Sequence, residues 1–209
     1  MNNIFSYDNP LIRGINKVVD FVCLALLWGI FSIPIITLGA STTAFYYTFN
    51  KTIRKDNGYL WNSIWSSFKL NFKQATVLWL IKLGVYVVLV LNCVAAYIFM
   101  DLLLPKFIVW MIWIVSLVIV MWTCCWTPYL AGFNDTTKTI IKNSGYIMLK
   151  NMHWSIWVLA VLAASIGVAY YYRAVILIVP AIYMAICSYI YERVFRKYSQ
   201  PEEDEDVEQ

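Results

Sequence analysis

Five apolar runs dominate this chain, at residues 18–38, 75–99, 107–127, 153–172 and 174–191. Each is close to the roughly 20 residues that a helix needs to cross a hydrocarbon core of about 30 Å. A backbone immersed in lipid must satisfy its own polar groups, which leaves helices or closed barrels. These runs lack the polar–apolar alternation of a barrel strand. Only 13% of the 209 residues are charged and 61% are hydrophobic, whereas soluble domains carry about 25% charge. Ten Trp and fifteen Tyr suit two interfacial belts. The predicted fold is an all-α polytopic transmembrane bundle of about five spans, one domain over residues 1–198.

The stretches between the runs carry the detail. In FSIPIITLGASTT (31–43), Pro34 lacks an N–H and clashes with the carbonyl four residues back, so it ends or kinks the first span. Gly39 suits a positive-φ position after a helix, and Ser41 or Thr42 suits the cap of the next. A helix over 41–55 with Lys51, Arg54 and Lys55 then stops at Asp56-Asn57-Gly58. A helix over 60–73 sets Trp61, Trp65, Phe68 and Phe72 on one face, with Lys69 and Lys73 nearby, the composition of a helix lying among headgroups. A second basic amphipathic stretch, 129–152, follows Pro128. The motifs FNKTIRKDNGY (49–59) and FNDTTKTIIKNSGY (133–146) suggest a repeat about the membrane normal.

Charge sets an orientation. Residues 39–74, 129–152 and 193–197 hold eleven cations, and the opposite side of a five-span chain holds Arg13, Lys17, Lys106 and Arg173. The positive-inside rule then predicts a bacterial cell-membrane protein with its N-terminus outside, its C-terminus cytoplasmic and both amphipathic segments cytoplasmic. Six of the twelve acids fall in the last eight residues. Residues 199–209 therefore read as a disordered acidic tail. Nucleic acid is not an expected partner, because the positive charge belongs to helices in the membrane plane. The lipid bilayer is one.

Lys82 is the one cation inside an apolar run. It sits about two turns from Ala75, within reach of the interface by snorkelling. Asp20 is expected to cap a helix or to pair with Arg13 or Lys17, Glu192 to pair with Arg196, and Asn92 to bond another helix. Cys23, Cys93, Cys124, Cys125 and Cys187 read as small buried hydrophobes without metal-ligand spacing, and His153 is the only histidine. No catalytic set, metal site or cofactor motif is apparent, so no enzymatic activity is expected.

LLWGIFSIPIITLGASTTAFYY (26–47), FKLNFKQATVLWL (68–80) and, more weakly, WTPYLAGFNDT (126–136) make this chain resemble the YesL-like family, small integral membrane proteins of Gram-positive bacteria labelled as a domain of unknown function. With the order of spans, the likeness covers most of residues 4–198. Genes of that family lie beside carbohydrate importers of the ATP-binding-cassette type. The resemblance therefore implies a non-enzymatic accessory protein of an oligosaccharide importer. The other reading is a small transporter or channel, alone or as a homo-oligomer. Pro34, Gly39, Ser41, Lys69, Asn71 and Lys73 are the family-motif positions, expected to be structural or to face a partner.

Overall fold

The computed structural model describes residues 10–99, 106–133, 135–172 and 178–198. The acidic tail, Pro105 and Arg173 lie outside them. The described residues form seven α-helices: α1 (Pro10–Phe31), α2 (Leu38–Thr48), α3 (Leu60–Phe99), α4 (Lys106–Gly132), α5 (Thr137–Lys150), α6 (Met152–Tyr171) and α7 (Ile178–Phe195). A short 3₁₀ turn, Ile35–Thr37, precedes α2, and a π-helical turn, Phe49–Arg54, continues it. Five of the helices, α1, α3, α4, α6 and α7, are long and apolar enough to cross a membrane. The polytopic helical bundle is thus as expected.

The first joint differs from its reading. α1 ends at Phe31 rather than near 38. Pro34 forces the break, because it disfavours helical geometry at Ile33 and cannot donate to Ile30. The Thr37 hydroxyl holds the corner by donating to the carbonyls of Phe31 and Pro34, at 2.6 and 2.7 Å. α2 starts at Leu38, so Gly39, Ser41 and Thr42 lie inside it and neither terminates nor caps a helix. Gly39 is needed for closeness instead of for φ. A Cβ there would stand 2.5 Å from both the Ala75 carbonyl oxygen and Trp79 Cβ.

The stretch read as a surface helix over 41–55 is the centre of the bundle. Gly39, Ala40, Ser41, Thr43, Ala44, Phe45, Tyr46 and Thr48 are all buried. Small residues let helices approach closely where lipid offers no hydrophobic drive for association. The hydroxyls of Ser41, Thr42 and Thr43 donate to carbonyls three or four residues back, so their burial leaves no orphan donor. α1 runs antiparallel to α2: Phe21 meets Phe45 and Phe49 edge-on, Trp28 reaches Thr42, and Ser32 and Ser41 share a 2.7 Å hydrogen bond. The outer face of α1, with Ile15, Val18, Val22, Leu26 and Ile30, is exposed.

The helix over 60–73 and the second span are one uninterrupted helix of 40 residues. Its first half packs antiparallel to α2, with the Trp79 indole donating to the Ile35 carbonyl at 2.9 Å. Its second half pairs with α4 through Tyr86–Thr123 and Cys93–Ser116. Trp61, Trp65 and Phe68 form a stack that Phe31 joins, so this aromatic face closes on α1 as well as facing outward. α4 continues through Pro128 instead of breaking there. α5 lies against α4, where the Trp122 indole donates to the Ile141 carbonyl. The buried Asn151 separates α5 from α6.

The proposed repeat does not survive as structure. Residues 49–54 are a π turn leading into a loop, whereas residues 137–146 begin a helix capped by the Thr136 hydroxyl. Asn92 donates to Val88 of its own helix, not to another. Of the cysteines, Cys125 and Cys187 are buried, while Cys23 is exposed on the outer face.

Candidate functional site: a polar cleft at the basic end

The described chain gathers charge at one end of the bundle. After the π turn, Asp56 and Gly58 take positive φ of 49° and 85° and reverse the chain, a geometry that short Asp side chains and glycine tolerate best. Asp56 accepts an ion pair from Arg13 and another from Lys17 at 3.1 Å. Arg13, supported by Lys17, holds the Asp56 carboxyl below the usual carboxylate range. The first turns of α1 therefore lie at the same end as the loop that was placed across the membrane from them. This corrects the sorting of Arg13 and Lys17, and it leaves Asp20 without the role expected for it.

Glu192, near the end of α7, pairs with Arg54 rather than with Arg196. Arg54 also donates to Asn50 Oδ1 at 3.1 Å, and the buried Ser188 hydroxyl donates to the same oxygen at 2.7 Å. The wide π turn thus aligns Asn50 and Arg54 along α7, a register suited to the functional roles often found at π-helical turns. The start of α1, the end of α7 and the loop that leads into α3 are brought together here.

Between α2, α4 and α7 lies a cleft of about 560 Å³. Tyr46, Tyr47, Asn50, Lys51, Lys55 and Asn57 line one wall, and Ser188, Glu192 and Arg196 line the other. Three cations against one paired carboxylate make it a place for anionic or hydrogen-bond-accepting groups. The Lys51 ammonium donates to the Tyr47 hydroxyl at 3.2 Å. None of these lining residues was singled out as a site in the sequence reading. The available signal was the run Asn50-Lys51-Thr52-Ile53-Arg54-Lys55, in which polar and charged residues flank the buried pair Thr52–Ile53.

The sequence-based candidates separate into two groups, neither lining this cleft. Pro34, Gly39 and Ser41 build the first joint. Lys69, Asn71 and Lys73 lie on the first half of α3. Lys69 sits over the Trp65 ring at 4.8 Å, Lys73 is exposed, and Asn71 donates to Ser67 of its own helix. Asn71 also borders a small groove shared with Leu130 and Gly132. Lys82 is half-buried, 5.7 Å from the Tyr86 ring centre. It edges a cavity of about 10 Å³ beside Gly39, Thr43 and Trp126, room for about one water at most.

A sequence profile of one family, described as "Protein of unknown function, DUF624", matches residues 21–93. That region is most of α1, the corner, α2, the π turn and α3 as far as Cys93. No curated protein and no solved structure matches the chain. Over residues 21–93 the chain is similar to a family without an assigned activity, and the matched residues include the α1–α2–α3 joint.

Proposed function

We propose that this chain is a non-enzymatic accessory protein of a bacterial cell membrane, and that its basic end works on the cytoplasmic side. The observation that carries the reading is the placement of polarity. The polar cleft opens at the basic end, the helices present apolar faces outward, and the cavity at Lys82 is too small for a solute. The resemblance to YesL-like proteins supplies the partner class, an ATP-binding-cassette importer of oligosaccharides. Lys69, Leu70 and Lys73, exposed along the first half of α3, are the proposed contacts.

Orientation follows from the same charges. Arg13 and Lys17 lie at the same end as Lys51, Arg54, Lys55, Arg193 and Arg196, which strengthens the positive-inside bias there. The first turns of α1 and the last turn of α7 are then both cytoplasmic, because α2 and its π turn return the chain to the side on which α1 begins and make the number of passes even.

Co-purification from native membranes in mild detergent tests the reading. Importer subunits should accompany the wild-type chain and be lost with Lys69→Glu/Lys73→Glu. Recovery of the chain free of any transporter subunit would refute the accessory role. A second reading, a small transporter, draws on the size of the polar cleft. Solute flux in liposomes holding only this chain would favour it.

A further inference from the structure

A second groove adjoins the polar cleft and shares Glu192 and Arg196 with it. It has a volume of about 410 Å³ and is lined by Arg54, Trp154, Tyr189, Glu192, Arg193 and Arg196, with Ile190 at its base. Three guanidiniums face a single carboxylate, and Arg54 already engages that carboxylate. Arg193 and Arg196 are exposed, and among the described residues the groove's one ion pair is that of Arg54 with Glu192. The guanidinium of Arg193 lies 5.7 Å from the Trp154 ring centre, and that of Arg54 lies 4.2 Å from the Tyr189 ring centre. Flat aromatic faces hold these forks in place, as cation–π contacts do.

The position of the groove narrows its ligand. Trp154 stands in the first turn of α6 and Arg193 in the last turn of α7. Both helices are candidate spans, so their ends mark a membrane–water boundary. Leading along α7 to Tyr189 of the groove, Ile178, Ile182 and Ile186 form an exposed apolar stripe four residues apart. A cationic groove above an apolar stripe matches a headgroup phosphate with its acyl chains alongside. Arginine forks recognise phosphate oxygens in pairs, and basic pockets between spans hold anionic headgroups.

We propose that this groove is a binding site for one anionic glycerophospholipid, with Arg193 and Arg196 as the phosphate donors. Arg54, held by Glu192, sets the back wall, and Trp154 anchors the glycerol level. The site goes beyond the accessory role and does not depend on it.

Native mass spectrometry of the full chain, delipidated and then titrated with phosphatidylglycerol or phosphatidylcholine, tests this. The wild type should retain phosphatidylglycerol over phosphatidylcholine by about tenfold, and Arg193→Gln/Arg196→Gln should erase that preference. Lys138→Gln/Lys142→Gln, two exposed cations on α5, should keep it. Hydrogen exchange on the wild type gives a readout independent of any variant: phosphatidylglycerol, and not phosphatidylcholine, should protect residues 152–156 and 189–196. Equal retention of the two lipids overturns the proposal, as does equal loss in the α5 control or protection elsewhere only. Displacement of phosphatidylglycerol by millimolar inorganic phosphate would make the groove a free-anion site and would also overturn it.

Discussion

Gly39 and Ala75 meet backbone to backbone: a methyl group on Gly39 would stand 2.5 Å from the Ala75 carbonyl oxygen. A backbone carbonyl inside a continuous helix cannot swing aside as a side-chain tip would. Gly39→Ala should therefore destabilise the bundle by about 1–3 kcal/mol through overpacking. Gly84→Ala supplies the contrast, because a Cβ there meets nothing within 4 Å, and helix propensity alone should raise stability slightly. Thermal melting of both variants in detergent checks the pair. A Gly39→Ala melting point at or above wild type would disprove the close approach.

The ion pairs of Asp56 make a prediction about sidedness. Single cysteines at Asn16, Asn57 and Asn143, in a background free of the five native thiols, should all behave alike. Under the proposed orientation an impermeant thiol reagent labels none of them in intact cells and all of them after permeabilisation. Labelling at 16 without labelling at 57 would break the Arg13–Asp56 connection.

Asp56 also sets a pH dependence. Its folded pKa is depressed, first by the hydrogen bond from Arg13 and then by that from Lys17. A depressed carboxylate stabilises the fold above its unfolded pKa of about 3.9. That contribution is lost as pH falls through the lower, folded value. Protection of the amides at residues 56–59, taken relative to the intrinsic exchange rate at each pH, should be steady from neutral pH to about pH 5 and should fall in stronger acid beyond the change seen in Asp56→Asn. Identical acid profiles for the two proteins would remove Asp56 from the account.

Lys82 has room for about one water beside it and an aromatic ring near its ammonium. Lys82→Met keeps the length of the stem and removes a charge that is costly inside a span. Membrane abundance and melting point should be equal to or slightly above wild type. Loss of partner co-purification at normal abundance would instead give the charge a working role.

The apolar runs made the spans legible because lipid acts as a uniform solvent and hydropathy reports it directly. α2 was misread because its residues carry two meanings. Gly39, Ala40, Ser41, Thr43 and Ala44 look weakly polar in sequence, yet small residues are what a crowded helix contact in a membrane demands. Their hydroxyls bond to their own backbone and so hide their polarity. The break expected after residue 73 failed for a related reason: Lys69, Lys73 and Gln74 suggest an exit from the membrane, but nothing there stops a helix. The cleft was invisible because it joins residues 50–57 to 188–196, a pairing that no local spacing encodes. Glu192 shows this best, since its helical neighbour Arg196 lost to Arg54, which is distant in sequence and close in space.

The unbroken α3 links two environments with one rigid object. Forty residues give a rod of about 60 Å, roughly twice the hydrocarbon thickness. Its first half packs against the α1–α2 hairpin and its second half against α4. With no glycine pair or proline between them, the rod has no hinge at which a tilt could dissipate. A change in bilayer thickness that tips the apolar half by about 10° would carry the far end through about 10 Å. Lys69 and Lys73, 9 and 13 residues inside that end, would move the same way by less, so the first half of the rod would register the mechanical state of the membrane.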